Sequence, residues 1–471
     1  MVKRLVGPGT TPANSPAAGN PPGAPAHAPA AGGARAKARA ADGPMFVQRA
    51  AGLGTDLEVL DAARRRLGGT VDLRRAEGAF RVARPLKVAV LCLGGMGGSG
   101  SVARVAAEGL GRAGHKVSLL TSGEAFFKDA ALEKVTVAAV SVPPSPIAPA
   151  DDWVGRLRDE IVAHVRREKT DVINVHYGAG LAEAAVAARE VLRAEGHKVS
   201  VAVTLHGTDV TGWGRNPETR ERVRASVHAA DAVSAVSHVL ARQAVEAFGL
   251  EVQPPVISNA IDPFHWNPTQ WSDLRARLAP NGEVIIAHAS NLRPVKRPLD
   301  AVRVLADVRA QGIDAKLMLI GDGPMLEAMH ELAVELGVAE KIMVMGAIET
   351  DKLPKYMAAA DLHLVTSENE SFCLAAMEAM ACGVPVVGTH CGGLDEIMTK
   401  VDPGLNRVSK LLADVGDAPT MARSVVSLVT DERRYKRVQG ECLATAHREY
   451  PRDRQVQGYL TLVDDARPAS R

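Results

Sequence analysis

The sequence has few cysteines and no long apolar run, and both absences exclude whole classes of protein. Five cysteines are present, an odd number with no CxxC pair, which is poor material for a disulfide framework or a zinc site. No apolar run approaches the roughly 18 residues of a membrane-spanning helix, and no apolar segment follows the basic residues at the start. We therefore expect a cytoplasmic protein with no membrane partner.

The sequence also lacks a large excess of charge of either sign. Its formal net charge is +2, made of +4 in residues 1–43 and −2 in the remainder. A near-neutral body does not provide the basic face that nucleic acids require, so we expect no nucleic-acid partner. A DxD motif is absent as well, and with it a carboxylate pair for a divalent metal, so we expect no metal site.

The chain divides into a tail, an extension, two similar halves and a C-terminal segment. Residues 1–43 are rich in Ala, Pro and Gly and contain almost no large apolar side chains, so we predict disorder there. Further along, short β-branched runs alternate with helical stretches, which predicts parallel sheets covered by helices on both faces. The remaining predicted segments are an extension with a short helix at 56–67 (44–85), two Rossmann-like, doubly wound halves (86–265 and 266–450), and a C-terminal segment that could return to the first half (451–471).

A glycine-rich turn, Gly94–Gly100, follows the first predicted strand and precedes the first predicted helix. Glycines let the backbone approach a phosphate, and the helix N-terminus adds N–H donors and a partial positive charge. The turn contains the GxGxxG pattern of dinucleotide-binding enzymes. A nicotinamide or flavin oxidoreductase is therefore an alternative function. That fingerprint needs an acidic residue at the end of the second strand, whereas this strand ends at Leu120–Gly123. The oxidoreductase interpretation is therefore disfavoured.

Polar clusters follow other predicted strands. His206–Asp209 comes after VSVAVTL and suits a polyhydroxylated ligand, although capping of the next turn would also explain Thr208 and Asp209. Tyr177 ends another strand. Ser290–Arg297 follows the first strand of the second half, and its three cations suit a diphosphate, although a solvated loop would also contain them. Because parallel strands bring their carboxyl ends to one crevice, we interpret both clusters as ligand contacts.

Two glutamates flank the start of a predicted helix in the second half. Glu370 precedes the segment SFCLAAM, and Glu378 lies inside the helix, so eight residues span on the order of 12 Å. That distance matches the separation between the sugar and the ribose of a nucleotide-sugar. A glutamate within the apolar run AAMEAMACGVPVV also needs a partner. We interpret the pair as ligand contacts rather than as unrelated surface residues.

The spacing of Glu370 and Glu378 before AMACGVP resembles the E-x7-E signature of family 4 retaining glycosyltransferases. The glycine-rich loop, GDGP and GGxxE extend the similarity over about residues 86–450. The resemblance implies the α/β GT-B fold, in which two Rossmann-like domains face a central cleft. It also implies that the first half binds the acceptor and that the second half binds the nucleotide-sugar donor.

Within the family, the chain resembles the branch that transfers N-acetylglucosamine to L-malate, the first step of bacillithiol biosynthesis. The segments TLHGTDVT, AVSH and SNLRPVKR support this similarity. Most family members have Gly-Arg where this chain has Ser290-Asn291, and the malate branch shares the Asn. The resemblance implies UDP-N-acetylglucosamine as the donor, L-malate as a small anionic acceptor, and same-face attack with retention.

The resemblance also implies roles for individual residues. The donor-binding residues are Gly98, Ser99, Gly100, Ser290, Arg293, Lys296, Phe372, Cys373, Leu374 and Glu378. The catalytic residues, which would contact the transferred sugar, are His206 and Glu370, and the acceptor-binding residues are Tyr177, Thr208 and Arg224. No cofactor and no metal are implied, and a homo-oligomer is compatible with the family.

Two segments depart from the family pattern, and the acceptor stays open. Cys373 stands where the family usually has Gly, and residues 401–407 replace the usual HGxxGyL segment. Other acceptors in this family are inositol phosphates and lipid-linked molecules, although no membrane-facing helix stands out in the first half. A non-catalytic nucleotide-sugar sensor is a further alternative, which the intact glutamate pair disfavours.

Overall fold

The computed structural model describes residues 82–94, 98–122, 134–140, 151–262, 265–266, 272–401 and 411–468. All the described residues belong to one unit, Gly43–Arg471. The tail predicted over 1–43 and the helix predicted over 56–67 lie outside the described residues. Within the described part, no helix is both long enough and apolar enough to cross a membrane.

The N-terminal half is built on a six-stranded parallel sheet in the order β3-β2-β1-β4-β5-β6. All six residues of β5 are buried, because helices cover both faces of the sheet. The strands are β1 (Lys87–Leu93), β2 (Lys116–Ser122), β3 (Val135–Val140), β4 (Val172–His176), β5 (Ser200–Leu205) and β6 (Ala232–Ala235). The helices are α1 (Gly98–Arg112), α2 (Asp151–Glu168), α3 (Leu181–Ala194), a π-helix (Asp209–Trp213), α4 (Arg220–Ala229) and α5 (His238–Phe248).

The C-terminal half repeats this plan, with a parallel sheet in the order β12-β11-β10-β7-β8-β9. The strands are β7 (Val284–Ala289), β8 (Ala315–Ile320), β9 (Ile342–Gly346), β10 (Leu362–Val365), β11 (Val386–Thr389) and β12 (Leu412–Ala413). The helices are α6 (Ser272–Leu278), α7 (Pro298–Ala310), α8 (Leu326–Glu335), α9 (Leu353–Ala359), α10 (Leu374–Ala381), α11 (Gly393–Val401), α12 (Ala418–Val429), α13 (Glu432–Glu449) and α14 (Arg452–Asp465), with 3-10 turns at Pro294–Lys296 and Ala339–Lys341.

The strand order of each sheet reverses once, and this reversal defines where a ligand can bind. The reversal lies between β1 and β4 in the first sheet and between β7 and β10 in the second. Loops leave the carboxyl ends of such neighbouring strands in opposite directions and open a crevice between them. The prediction of two doubly wound parallel halves is therefore confirmed.

The last helix, α14, packs on the N-terminal half. Gly109 of α1 leaves room for Val456, since a Cβ at Gly109 would lie 2.5 Å from the valine. Tyr459 is fully buried beside His176 of β4, with ring centroids 5.2 Å apart. Arg452 forms ion pairs with Glu108 of α1 and, at 3.2 Å, with Asp262. Helix α14 thus completes the hydrophobic core of the N-terminal half.

We predict that Tyr459→Ala lowers the free energy of unfolding by about 3 to 5 kcal/mol, because a large, fully buried side chain would leave a cavity between α14 and β4. Chemical denaturation followed by circular dichroism measures this loss. Gln457→Ala, at an exposed position on the same helix, should change it by less than about 0.5 kcal/mol. Equal stabilities for the two variants would contradict the packing role of α14.

Candidate active site

The loops at the carboxyl ends of the two sheets contact each other directly. Gly207, which follows β5, lies against Ser371, which follows β10. Gly98, at the start of α1, lies against Leu374 of α10. Ser237, after β6, donates a hydrogen bond from Oγ to the Ser371 carbonyl oxygen at 2.5 Å. The two crevices therefore open into one cleft.

Glycine at position 207 is required by this contact. Its φ is +145°, and a Cβ there would lie 1.9 Å from Oγ and 2.9 Å from Cβ of Ser371. Any other residue would be strained and would push the two halves apart. The α1 end of the cleft is less crowded, since a Cβ at Gly98 would meet only the tip of the Leu374 side chain, at 2.9 Å. There, Ser99 is half-buried and Gly100 is buried.

Asp209 organises the loop that carries His206. Its fully buried carboxylate accepts hydrogen bonds from the backbone N–H groups of Gly178, His206, Gly207 and Val210, at 2.6 to 3.2 Å. Burial raises the pKa of Asp209, and these four donors oppose the rise by favouring the charged form. Asp209 thus joins the loops after β4 and β5, and backbone donors occupy its carboxylate.

The loops after β4 and β5 bring together three of the predicted site residues. The side chains of Tyr177 and Thr208 share a hydrogen bond, and burial raises the pKa of Tyr177. His206 is half-buried, and its Nε2 lies 3.1 Å from Nδ1 of His176. Burial lowers the pKa of His206 to about 3, so its imidazole is neutral at physiological pH. Hydroxyl groups and a neutral imidazole thus face the cleft from this half.

Arg224, the third predicted acceptor residue, has other partners. It lies on α4, where its Nε donates to the Phe248 carbonyl oxygen at 3.1 Å and its Nη1 lies 3.5 Å from Glu221. Its side chain is 45% exposed. No contact joins it to Tyr177 or Thr208 among the described residues. Its role toward an acceptor stays a prediction.

In the C-terminal half, Lys296 and Glu370 form an ion pair across 2.7 Å. The same oxygen of Glu370 accepts a hydrogen bond from Ser367 Oγ at 2.6 Å. Burial lowers the pKa of Lys296, but the Glu370 carboxylate raises it by more, so the net pKa lies above the usual value. The cation predicted for phosphate and the carboxylate predicted for sugar are therefore neighbours, and each fixes the position of the other.

Glu378, the second glutamate of the pair, has no ion pair or hydrogen bond to its side chain within the described residues. It is half-buried on α10, and burial raises its pKa to about 8. A carboxyl group in such surroundings is available to a ligand that offers hydroxyl groups. The sequence predicts a partner for Glu378, and no side chain among the described residues is that partner.

Ser290 supports the loop that carries the predicted phosphate-binding cations. Its Oγ accepts a hydrogen bond from the Leu292 N–H at 3.2 Å and lies 3.0 Å from His288 Nε2. Gly321 of the GDGP motif approaches so closely that a Cβ there would lie 1.9 Å from the Ser290 carbonyl oxygen. Arg293 is exposed at the start of the 3-10 turn, where it can reach a ligand.

The backbone at Cys373 has the conformation that glycine would favour. Its φ of 73° and ψ of 64° lie in the left-handed region, directly before α10. No side chain caps α10, so the first N–H groups of this helix remain available to an anion. Phe372 is buried edge-on against Tyr450, with ring centroids 5.5 Å apart, and Leu374 is half-buried. Cys373 thus adopts a left-handed conformation that a glycine would adopt without strain.

Comparison with known families explains this arrangement. Residues 96–264 match Glycosyltransferase Family 4, and residues 269–441 match Glycosyl transferases group 1. This chain is a family 4 glycosyltransferase. Within its described residues, no cluster of three His, Cys, Asp or Glu side chains could hold a metal ion.

Individual relatives of the glycosyltransferase differ in their named substrates. It is 30% identical to N-acetyl-alpha-D-glucosaminyl L-malate synthase of Bacillus anthracis, over 81% of this chain and 97% of that protein. It is 31% identical to D-inositol 3-phosphate glycosyltransferase of Acidothermus cellulolyticus, over 54% of this chain and 58% of the relative. The structure of Anabaena HepE in complex with UDP shares its fold, with a TM-score of 0.64, 20% identity, and coverage of 80% of this chain and 99% of the other. The GT-B fold is therefore confirmed.

Several residues of the glycosyltransferase site were not predicted from the sequence. Ser367 contacts Glu370, His176 contacts His206, and Ser237, within the segment AVSH, contacts Ser371, but none of the three was assigned a role. Their position at the carboxyl end of a parallel strand was the available signal. The altered segment 401–407 lies outside the described residues from position 402 onward.

We predict that position 373 of the glycosyltransferase tolerates glycine but not a β-branched residue. Cys373→Gly should keep the free energy of unfolding within about 1 kcal/mol, since relief of left-handed strain offsets the lost burial. Cys373→Val should lower it by about 1 to 3 kcal/mol. Thermal denaturation measures both. Cys442→Val, at a buried cysteine within α13, is the control for added volume. Equal losses at 373 and 442 would contradict the role of backbone strain.

Proposed function

We propose that this glycosyltransferase transfers N-acetylglucosamine from UDP-N-acetylglucosamine to the hydroxyl of L-malate, with retention at the anomeric carbon. The observation that best supports the proposal is the Lys296–Glu370 pair, because the carboxylate predicted to bind the sugar and the cation predicted to bind the diphosphate lie 2.7 Å apart. The similarity to the Bacillus anthracis malate enzyme, which spans 97% of that protein, supports the choice of substrates.

On the donor side, Lys296 and Arg293 would bind the diphosphate, together with the uncapped N–H groups of α10. Lys296, paired with Glu370, and the N–H groups of α10 are fixed before reaction, so they would stabilise the charge that develops on the leaving diphosphate at little reorganisation cost. Glu378 would accept hydrogen bonds from the ribose hydroxyls, and Glu370 would hold the transferred sugar. The UDP complex of the structurally similar Anabaena protein supports a uridine nucleotide here.

On the acceptor side, Tyr177 and Thr208 would position L-malate beside the anomeric carbon, and Arg224 would bind a carboxylate. The family resemblance implies attack from the face that the diphosphate leaves, with a donor phosphate oxygen taking the proton of the acceptor hydroxyl. No protein side chain then acts as the nucleophile. For Arg224 to take part, its guanidinium would exchange the Phe248 carbonyl for the acceptor carboxylate.

A second candidate acceptor is an inositol phosphate. The 31% identity to a D-inositol 3-phosphate glycosyltransferase favours this alternative, and the contact of Arg224 with the Phe248 carbonyl gives no support to a malate carboxylate at that position. Incubation of the purified protein with UDP-sugars and a panel of L-malate, D-malate, succinate and inositol phosphate would distinguish the acceptors. UDP release with L-malate but not with succinate, which lacks the hydroxyl group, would support the malate proposal.

We predict that Arg224→Ala raises the KM for L-malate by about 10- to 100-fold, as expected for the loss of a hydrogen bond to a charged group. Steady-state kinetics with varied malate measures this change, and the KM for the donor should stay constant. Arg220→Ala is a matched control, because Arg220 Nε also donates to a carbonyl at the end of α5, that of Ala247, at 3.1 Å. Unchanged malate kinetics in Arg224→Ala would exclude this arginine as the carboxylate ligand.

For the donor, we predict that Lys296→Ala lowers kcat/KM for UDP-N-acetylglucosamine by about 100- to 1,000-fold, because a fixed cation at the leaving diphosphate would be lost. The KM for malate should change little. Lys316→Ala is the matched control, since Lys316 pairs with Glu283 at 2.9 Å with similar exposure, at the opposite end of the sheet. If both variants lose stability alike and neither loses donor turnover, Lys296 is only a structural residue.

A further inference from the structure

A file of three hydrogen-bonded side chains lies behind the cleft in the N-terminal half. Asn174 and His176 are two residues apart on β4, so their side chains share one face of the sheet, and both are fully buried. Asn174 Oδ1 lies 3.1 Å from His176 Nε2, and His176 Nδ1 lies 3.1 Å from His206 Nε2. His206 ends the file at the cleft.

The chemistry of these groups determines which atoms donate and which accept the hydrogen bonds along the file. A carboxamide oxygen only accepts hydrogen bonds, so Nε2 of His176 must carry the hydrogen. Burial, followed by the neighbouring His206, lowers the pKa of His176 far below its usual value, so the ring is neutral and its Nδ1 has a lone pair. His206 must then donate to it from Nε2. Because His206 is neutral as well, its own Nδ1 has no hydrogen.

The free nitrogen of His206 is available to a ligand. His206 is half-buried, and its Nδ1 has no hydrogen-bond partner among the described residues. The next residue, Gly207, forms the contact with Ser371 across the cleft. On the other side of the file, the Tyr459 ring packs against His176 with centroids 5.2 Å apart and prevents it from moving away. Helix α14 thus packs against the file on the side away from the cleft, and of the three side chains only His206 is accessible to a ligand.

We propose that Asn174 and His176 are positioning residues, which hold His206 in the tautomer with hydrogen on Nε2 and so present the Nδ1 lone pair to the cleft. In that form His206 accepts a hydrogen bond from a hydroxyl of the donor sugar and does not donate one. The identity of this ligand rests on the proposed function, whereas the tautomer does not.

The tautomer can be measured without substrate. In wild-type protein labelled with 15N-histidine, His206 Nδ1 should show the far-downfield shift of a ring nitrogen without hydrogen, and Nε2 the shift of an N–H nitrogen. The resonances are assigned by comparison with His206→Gln. A hydrogen on His206 Nδ1 would overturn the proposal, since it would mean that the Asn174 amide is rotated and the file runs in the opposite direction.

Kinetics then test whether the file matters for turnover. Asn174→Leu removes the terminal acceptor at similar volume, so His206 Nδ1 should gain hydrogen, and kcat/KM for the donor should fall by about 10- to 100-fold at unchanged malate KM. His164→Gln is the control, because His164 is a buried histidine on α2 whose Nε2 has no partner. An altered tautomer with full donor turnover would refute the positioning role.

Two further outcomes separate the proposals from each other. If wild-type protein shows the expected His206 tautomer but no activity with UDP-N-acetylglucosamine and malate, the assigned reaction fails and the tautomer assignment stands. If Asn174→Leu does not fold, His176→Gln replaces it as the test variant. The glutamine amide cannot reproduce the two ring nitrogens with which His176 contacts Asn174 and His206. Donor turnover in that variant at the wild-type level would overturn the proposal.

Discussion

The approach of Gly207 to Ser371 is the constraint on which the rest of the site depends. Ser371 lies between Glu370 and the start of α10, which no side chain caps. Its position therefore determines where the Glu370 carboxylate and the first N–H donors of α10 lie. Gly207 stands between His206 and Asp209 in a loop that four backbone donors tie to one buried carboxylate. Groups from both halves are therefore placed relative to each other at this contact, which leaves no room for a side chain at position 207 and which the Ser237–Ser371 and Gly98–Leu374 contacts accompany.

Local patterns were enough to predict two doubly wound parallel halves. The runs KVAVLCL and VSVAVTL consist of apolar and β-branched residues that favour strands buried on both faces, and the structure has them as β1 and β5. Helical stretches between such runs permit only parallel pairing, and this determines which ends of the strands lie together. The same rule predicts that Tyr177 and His206 lie at the carboxyl edge of the first sheet and that Lys296 lies at the carboxyl edge of the second.

Pairings between distant residues could not be predicted in this way. Lys296 and Glu370 are 74 positions apart, and each was assigned a ligand of its own, whereas the structure joins them. Asp209 was considered both for the ligand and for the cap of the next turn, whereas the structure binds its carboxylate to four backbone N–H groups from the loops after β4 and β5. Arg224 was assigned by its place in a motif, which does not reveal that a carbonyl at the end of α5 is within its reach.

The return of α14 to the N-terminal half has a mechanical consequence. The chain passes between the halves twice, and the two passages lie side by side, because the Ile261 N–H donates to the Tyr450 carbonyl oxygen at 3.0 Å and Ile261 pairs with Pro451 in a parallel bridge. Arg452 fastens the second passage to Asp262 on the first. Two adjacent tethers permit rotation about the line that joins them and resist twisting of one half against the other. We therefore expect relative movement of the halves to be confined largely to this rotation.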